Sequence, residues 1–448
     1  MASPSPTAPM NLSMLVFRAI NHHSKCREKS KLRYMPVHHS GPGCAKPCVI
    51  HMPDIVLPLD HRGAALALRD YRSDAQAIIG RCRCGYVCNA IYFHFADHGD
   101  KKRAAALKVM SKELVKLERD DIDSEMRIMV QLQSFGFDAP RASRHIVRWE
   151  TAECPRNYYI LTEYVANGSL SSYMHKVHER AAKDLLAAYP NLSSKDLGKA
   201  IGYWMLFHVA LPIFGSILKG LVFLHTQDVC HLDIDPFNVA IRQDREAVFI
   251  DFGSSQLLDG RMLVGAGRHT PAIKAKVTYR SPELKSNARA RTNYINFVAR
   301  NHGNMSLRDE YDQIPQGFDG RASDLYSTGV MGFEILLYGF QFDGFLGNNF
   351  VSSASNPMWH SAVLAHHEGS CAGLTCVFCL HGIQLPSFAW DLLVQIIGKD
   401  PRQRGTSLDA ARRWEAGLAD LRKTPPVVPD LCHPNAYARL AAHLAPSA

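Results

Sequence analysis

Distinct regimes of apolar and polar positions follow one another along this chain. Residues 1–72 mix Pro, His, Ser and Lys with little periodicity, and read as an extension, largely disordered, with local order at best. From residue 75 short β-type runs take over: 75–79 leading into Gly80, then 86–93, 104–110 and 158–164. Between them, residues 121–132 set Ile122, Met126, Met129 and Val130 at helical spacing. Past Gly168 the pattern turns helical. Ile213, Ile217, Leu221 and Leu224 share one helix face, and residues 326–338 are apolar almost all round, the mark of a central buried helix. A compact hairpin, 239–241 and 248–250 around a polar turn, interrupts the helices. The order predicts an α+β chain: a small strand-rich part with one main helix, then a larger helical part.

Composition changes this picture little. With 448 residues, 46% hydrophobic and 21% charged, the chain has ample length for a packed core. The formal charge of +9 suits an anionic ligand but is too diffuse to point to nucleic acid, which is not expected as a partner. Residues 201–224 contain no acidic side chain and pass for a membrane span by hydropathy, yet Pro212 and Lys219 interrupt them. We read this stretch as a core helix, not a span. The opening residues lack a signal-peptide apolar region, so the expected location is intracellular, cytoplasmic or nuclear, with the twelve cysteines mostly reduced.

The candidate chemistry lies in short motifs. Residues 231–238, HLDIDPFN, set Asp233 and Asn238 five apart, and Asp251-Phe252-Gly253 follows just after the hairpin. Oxygen ligands on a loop and at a strand end suit a hard cation that bridges phosphates. Upstream, Lys108 follows Ala106 and Leu107 in a strand, and Glu125 lies seventeen residues on, in the helical stretch. Gly80 and Gly85 flank a turn before Val87, and residues 159–168, YILTEYVANG, close the strand-rich part. Each signal alone is weak. Together, in this order and at this spacing, they are specific.

This set resembles the eukaryotic-type protein kinase family, serine/threonine-like, over roughly residues 73–424. The resemblance implies a bilobal fold: an antiparallel-sheet lobe at 73–166, a mainly helical lobe at 167–424, and a tail at 425–448. It also implies transfer of the γ-phosphate of ATP, with Mg2+, to a protein hydroxyl, so the implied partner is a protein substrate. By that match Asp233 orients the substrate hydroxyl, Lys108 clamped by Glu125 holds the phosphates, and Asn238 and Asp251 bind the metal. Gly80, Gly85, Val87 and Ala106 line the nucleotide, while the backbone C=O of Glu163 and N–H of Val165 meet adenine. Ser281-Pro282-Glu283, Asp324 and Arg404 match later family motifs, in which the arginine pairs with the glutamate of the first.

Departures keep a second function open, a pseudokinase that binds ATP or acts as a scaffold. Cys82 stands at the second glycine of the phosphate loop, and Leu232 replaces the arginine before the catalytic aspartate. Asp235 stands where serine/threonine kinases carry a lysine, and its carboxylate repels a phosphate unless a cation compensates. The stretch between Glu283 and Asp324 is longer than the family's, and reads as a solvated loop or a docking insert. Finally Cys371, Cys376, Cys379 and His381, with His366 and His367 nearby, form an irregular candidate zinc pattern, for which buried thiols are the alternative.

Overall fold

A computed structural model describes residues 36–37, 48–49, 57–58, 64–68, 78–82, 84–94, 101–118, 122–132, 143–153, 157–258, 263–266, 273, 275–300, 313–340, 363, 365–371, 378–379, 382–423 and 433–444. Contacts divide the chain into two units, residues 1–142 with 147–165, and residues 143–146 with 166–448.

In the first unit an antiparallel sheet is built from β1 (Leu57–Pro58), β2 (Ala64–Leu68), β3 (Ile78–Cys82), β4 (Gly85–His94), β5 (Lys101–Ser111), β6 (Trp149–Glu153) and β7 (Asn157–Glu163). Its order is β1-β2-β4-β5-β7-β6, and β3 pairs with the start of β4, whose far end pairs with β2. The long strand β4 therefore carries both neighbours on one edge. Here the structure differs from the sequence reading of residues 1–72, because β1 and β2 come from that extension and belong to the sheet. Ala64, Ala65 and Ala67 give β2 too little apolar contrast for alternation to mark it.

Helices α1 (Lys112–Glu118) and α2 (Ile122–Gln131) follow β5. The buried residues of α2 are Ile122, Glu125, Ile128 and Met129, whereas Val130 is exposed. The face is rotated from the one read in the sequence, because Glu125 turns inward to an ion pair with Lys108. Trp149 closes the packing, its indole N–H donating to the Met129 carbonyl at 3.3 Å.

The second unit is mainly helical: α3 (Leu170–Ala188), α4 (Ser194–Met205), α5 (Leu211–Thr226), α6 (Pro282–Arg300), α7 (Gly320–Leu337), α8 (Ser387–Ile396), α9 (Ser407–Lys423) and α10 (Pro434–His443). Between the helices lie three two-stranded antiparallel pairs, β8 (Val229–Cys230) with β11 (Gln256–Leu257), β9 (Val239–Ile241) with β10 (Ala247–Phe249), and β12 (Val264–Ala266) with β13 (Gln316–Phe318). The long stretch between Glu283 and Asp324 is not simply a loop. Helix α6 occupies its first part and buries Leu284 and Tyr294.

The apolar stretch forms one helical run, Ser194–Thr226, long and apolar enough by composition to cross a membrane. A π-helical turn at Leu206–Ala210 joins α4 to α5 just before Pro212, where a proline within a helix would otherwise strand a carbonyl. Most of the run is buried by protein. Trp414 of α9 meets Phe214 edge-on at 4.6 Å, and its Nε1–H donates to the Leu211 carbonyl at 3.0 Å. In α4, Gly202 lets the Phe340 ring approach so closely that an added Cβ would lie 2.2 Å from it. Alanine is normally the better helix former by about 1 kcal/mol, but forced overpacking costs about 1–3 kcal/mol. Gly202→Ala is therefore expected to lower the melting temperature; a rise would show that the ring moves aside freely.

Candidate active site

In the first unit, Lys108 lies mid-strand in β5, in register with Val87 of β4 and Ile160 of β7. Its Nζ meets both carboxylate oxygens of Glu125, at 3.2 and 3.4 Å. The glutamate side chain is 5% exposed and the lysine 16%, so water screens this pair little. The chain separation of seventeen residues, read as strand to helix, is thus closed by a direct contact. Gly80 and Gly85 lie in the β3–β4 hairpin, where Gly80 opposes Val87 and Cys82 opposes Gly85, with a register shift between Ile78 and Gly80. Ala106 opposes Thr162, whose hydroxyl donates to the Ala106 carbonyl at 3.4 Å. Glu163 ends β7, exchanging bonds with Arg148: its own N–H donates to the Arg148 carbonyl, and its Oε1 accepts the Arg148 N–H at 3.1 Å. Val165 follows just beyond the strand and is half-buried.

In the second unit, Asp324 at the start of α7 organises the loop that holds Asp233. Its fully buried carboxylate accepts the backbone N–H groups of His231 and Leu232, both at 2.7 Å. His225 Nε2 lies 3.2 Å from the same carboxylate. These bonds fix Leu232 in the left-handed region, with φ of 62°, where a side chain larger than glycine is strained. The His231 ring packs on Phe249 and Phe252, and its Nε2 lies 3.2 Å from the Ile250 carbonyl, tying the loop to the segment that carries Asp251.

Asp233 and Asn238 meet within this loop. The Asn238 amide nitrogen donates to the Asp233 carbonyl at 2.9 Å and to its Oδ2 at 2.8 Å. With the nitrogen committed, the Asn238 side-chain oxygen is the group left to ligate a cation. The Asn238 carbonyl in turn accepts the Ile250 N–H, placing the next residue, Asp251, which is exposed and has φ of 60°. An amide oxygen and a carboxylate form a donor set that suits Mg2+, which takes hard oxygen ligands and keeps several waters. Burial first, then the charge of Asp235, raises the Asp233 carboxyl to about 6.

Asp235 does not project as a bare charge. It is fully buried, and its Oδ1 accepts the N–H groups of Phe237 at 2.6 Å and Asn238 at 3.1 Å, which makes it the organiser of its own turn. Its Oδ2 forms an ion pair with the Lys276 ammonium, which also lies 4.2 Å from the centre of the Phe237 ring. The backbone N–H of Lys276 donates to Asp233 Oδ1 at 3.1 Å. One residue thus answers the reversed charge in the loop and fixes the neighbouring carboxylate. Sequence reasoning asked for a compensating cation without finding it. The only hint was the basic composition of residues 268–280, which offers several candidates.

The late motifs brace this arrangement. Arg404, itself 1% exposed, meets Glu283 with two bonds at 2.5 and 2.9 Å and the Ala322 carbonyl at 2.8 Å. Such a forked pair links the start of α6 to the start of α7.

Comparison with known proteins agrees with this architecture. Residues 75–295 match the family model described as the protein kinase domain. A probable serine/threonine-protein kinase of Dictyostelium discoideum is 23% identical over 249 residues, 55% of this chain and 22% of the relative. A second from that organism is 25% identical over 203 residues, 43% of this chain and 23% of the relative. The serine/threonine-protein kinase-transforming protein mos of Moloney murine sarcoma virus is 37% identical over 69 residues, 15% and 19% respectively. The matched region spans about a fifth to a quarter of these relatives' length. The match identifies a protein kinase domain at residues 75–295 of this chain.

Proposed function

We propose that this chain is an active kinase that moves the γ-phosphate of ATP to a serine or threonine hydroxyl of a protein. The reading takes the kinase domain as bilobal and as extending over residues 73–424, beyond the matched region. The observation that carries it is the group Asp233, Asn238, Asp235 and Lys276, in which the carboxylate needed for chemistry is positioned by two donors and the unexpected charge beside it is neutralised.

In this mechanism Asp233 accepts a hydrogen bond, then the proton, from the substrate hydroxyl as its oxygen attacks the phosphorus. Asn238 and Asp251 would hold Mg2+, which neutralises phosphate charge when bound. Lys108, paired with Glu125, offers its ammonium to the phosphates. Gly80, Gly85, Val87 and Ala106 bound the nucleotide, and the backbone of Glu163 and Val165 bonds its base. Support for a hydroxyl of serine or threonine comes from the names of the relatives.

Asp233→Asn tests the assignment, since it keeps the shape and removes the proton acceptor. Transfer to a mixed protein substrate is expected to fall about 10²–10⁴-fold, while Mg-ATP still raises the melting temperature of both forms. Equal silence of native and variant chains, with the nucleotide shift retained, would instead make this a nucleotide-binding scaffold.

A further inference from the structure

Away from the kinase machinery, His366, Cys371 and Cys379 converge ahead of α8. Cys371 Sγ lies 3.4 Å from Cys379 Sγ and 3.6 Å from His366 Nδ1, and Cys379 Sγ lies 3.5 Å from the same nitrogen. The two sulfurs are not bonded to each other, since a disulfide holds them about 2.05 Å apart. We propose that these three side chains are ligands of a zinc ion.

Geometry carries the assignment. A tetrahedral zinc bound by sulfur at about 2.3 Å and nitrogen at about 2.0–2.1 Å spaces neighbouring ligand atoms at about 3.5–3.8 Å. The observed triangle has those dimensions to within a few tenths of an ångström, and its donor atoms all lie within 4.8 Å of one another. Two thiols and an imidazole are soft and borderline donors, the set zinc prefers over magnesium or calcium. Binding converts both thiols to thiolates and releases two protons, with no redox partner required.

The surroundings hold the imidazole ready. His366 stacks on Phe378 at 4.8 Å and meets Trp390 of α8 edge-on at 5.2 Å. Trp390 in turn packs against Phe333 of the buried helix α7. The adjacent His367 turns to Asp391 at 3.0 Å, so the two histidines have separate roles. The ion would tie His366 and Cys371 to Cys379, beside Trp390 of α8. Of the other residues in the sequence pattern, Cys376 and His381 lie outside the described residues, and the proposal does not depend on them.

This inference is independent of phosphate transfer, and its test uses none. The full chain, purified without chelator, should contain about one zinc per molecule by elemental mass spectrometry, falling to background in Cys371→Ser/Cys379→Ser. Cobalt exchanged into the native chain should give sulfur-to-metal charge-transfer absorption and the intense visible bands of a tetrahedral site, both lost in His366→Ala. Should those variants fold poorly, alkylation of the native chain read by peptide mapping decides: zinc should protect Cys371 and Cys379, and a chelator should expose them. Equal alkylation with and without zinc overturns the proposal. So does an undiminished zinc content in the double variant, or a Cys371–Cys379 disulfide as the resting state.

Discussion

Replacing Lys276 with methionine should lower the rate of phosphate transfer at saturating ATP by up to roughly 10²–10³-fold, the range for loss of one charge-stabilising group, with water around the half-exposed ammonium pulling the effect toward the lower end. Methionine retains the backbone N–H that meets Asp233 Oδ1, so the variant tests the ammonium alone. Without that charge, the fully buried Asp235 carboxylate keeps its two backbone donors but loses its counter-ion. Its negative field then falls on Asp233 and on the phosphate to be transferred. Breaking a buried pair can cost about 3–5 kcal/mol, but the lysine side chain is half-exposed, so the stability loss here should be well below that range. A second change, Asp235→Asn in the Lys276→Met background, should recover much of the rate, because an amide oxygen still accepts from Phe237 and Asn238 without carrying charge. Coupling between the two changes is the signature to measure. If Lys276→Met transfers phosphate at the native rate, the lysine is an ordinary surface cation, and Asp235 needs another explanation.

That pair also marks how far the sequence could be read. The family resemblance implied the Lys108–Glu125 pair, which the structure forms, and singled out Asp233 and Asn238, which the structure shows bonded to each other. The strands β3, β4, β5 and β7 and the hairpin β9–β10 stood out as apolar runs between turn residues, and α7 through being apolar almost all round, whereas β6 was not read. Contrast failed where residues were small, as in β2, and where a charged residue faced inward, as Glu125 does on α2. Asp235 was visible as a problem and Lys276 was not visible as its solution. The two lie 41 positions apart, and no local rule selects one cation among several. The triangle of His366, Cys371 and Cys379 was legible only as an irregular cysteine pattern, since its third member precedes the motif and joins through the turn after helical residues 365–367.

Leu232→Arg, which restores the side chain the family carries, should destabilise this protein by about 3–5 kcal/mol, read as a lowered melting temperature. The reason is where the leucine sits. It is 1% exposed in a cluster with Cys230, Val264, Ala275, Leu284 and Phe318, and Leu258 and Ile273 pack against that cluster. These residues come from the catalytic loop, from the segment after Asp251, and from α6 and β13. A guanidinium there finds apolar walls, while the backbone cannot swing it outward because Asp324 holds the N–H groups of residues 231 and 232. Leu232→Met, which conserves volume, should cost less than about 1.5 kcal/mol, separating charge from shape. The same cluster bears on regulation. Where an arginine occupies this position, a phosphate on the following segment recruits it through charge-assisted bonds; here burial of Val264 and Ala275 against Leu232 anchors that segment instead. Thr270→Ala/Thr278→Ala should therefore keep phosphate transfer within about threefold of native, a change under 1 kcal/mol. Tyr279 stays native in that test, because its buried hydroxyl donates to Glu334 at 2.5 Å and its removal would confuse stability with signalling. Complete loss of activity in the double threonine variant would show that apolar packing alone does not hold the segment in its working position.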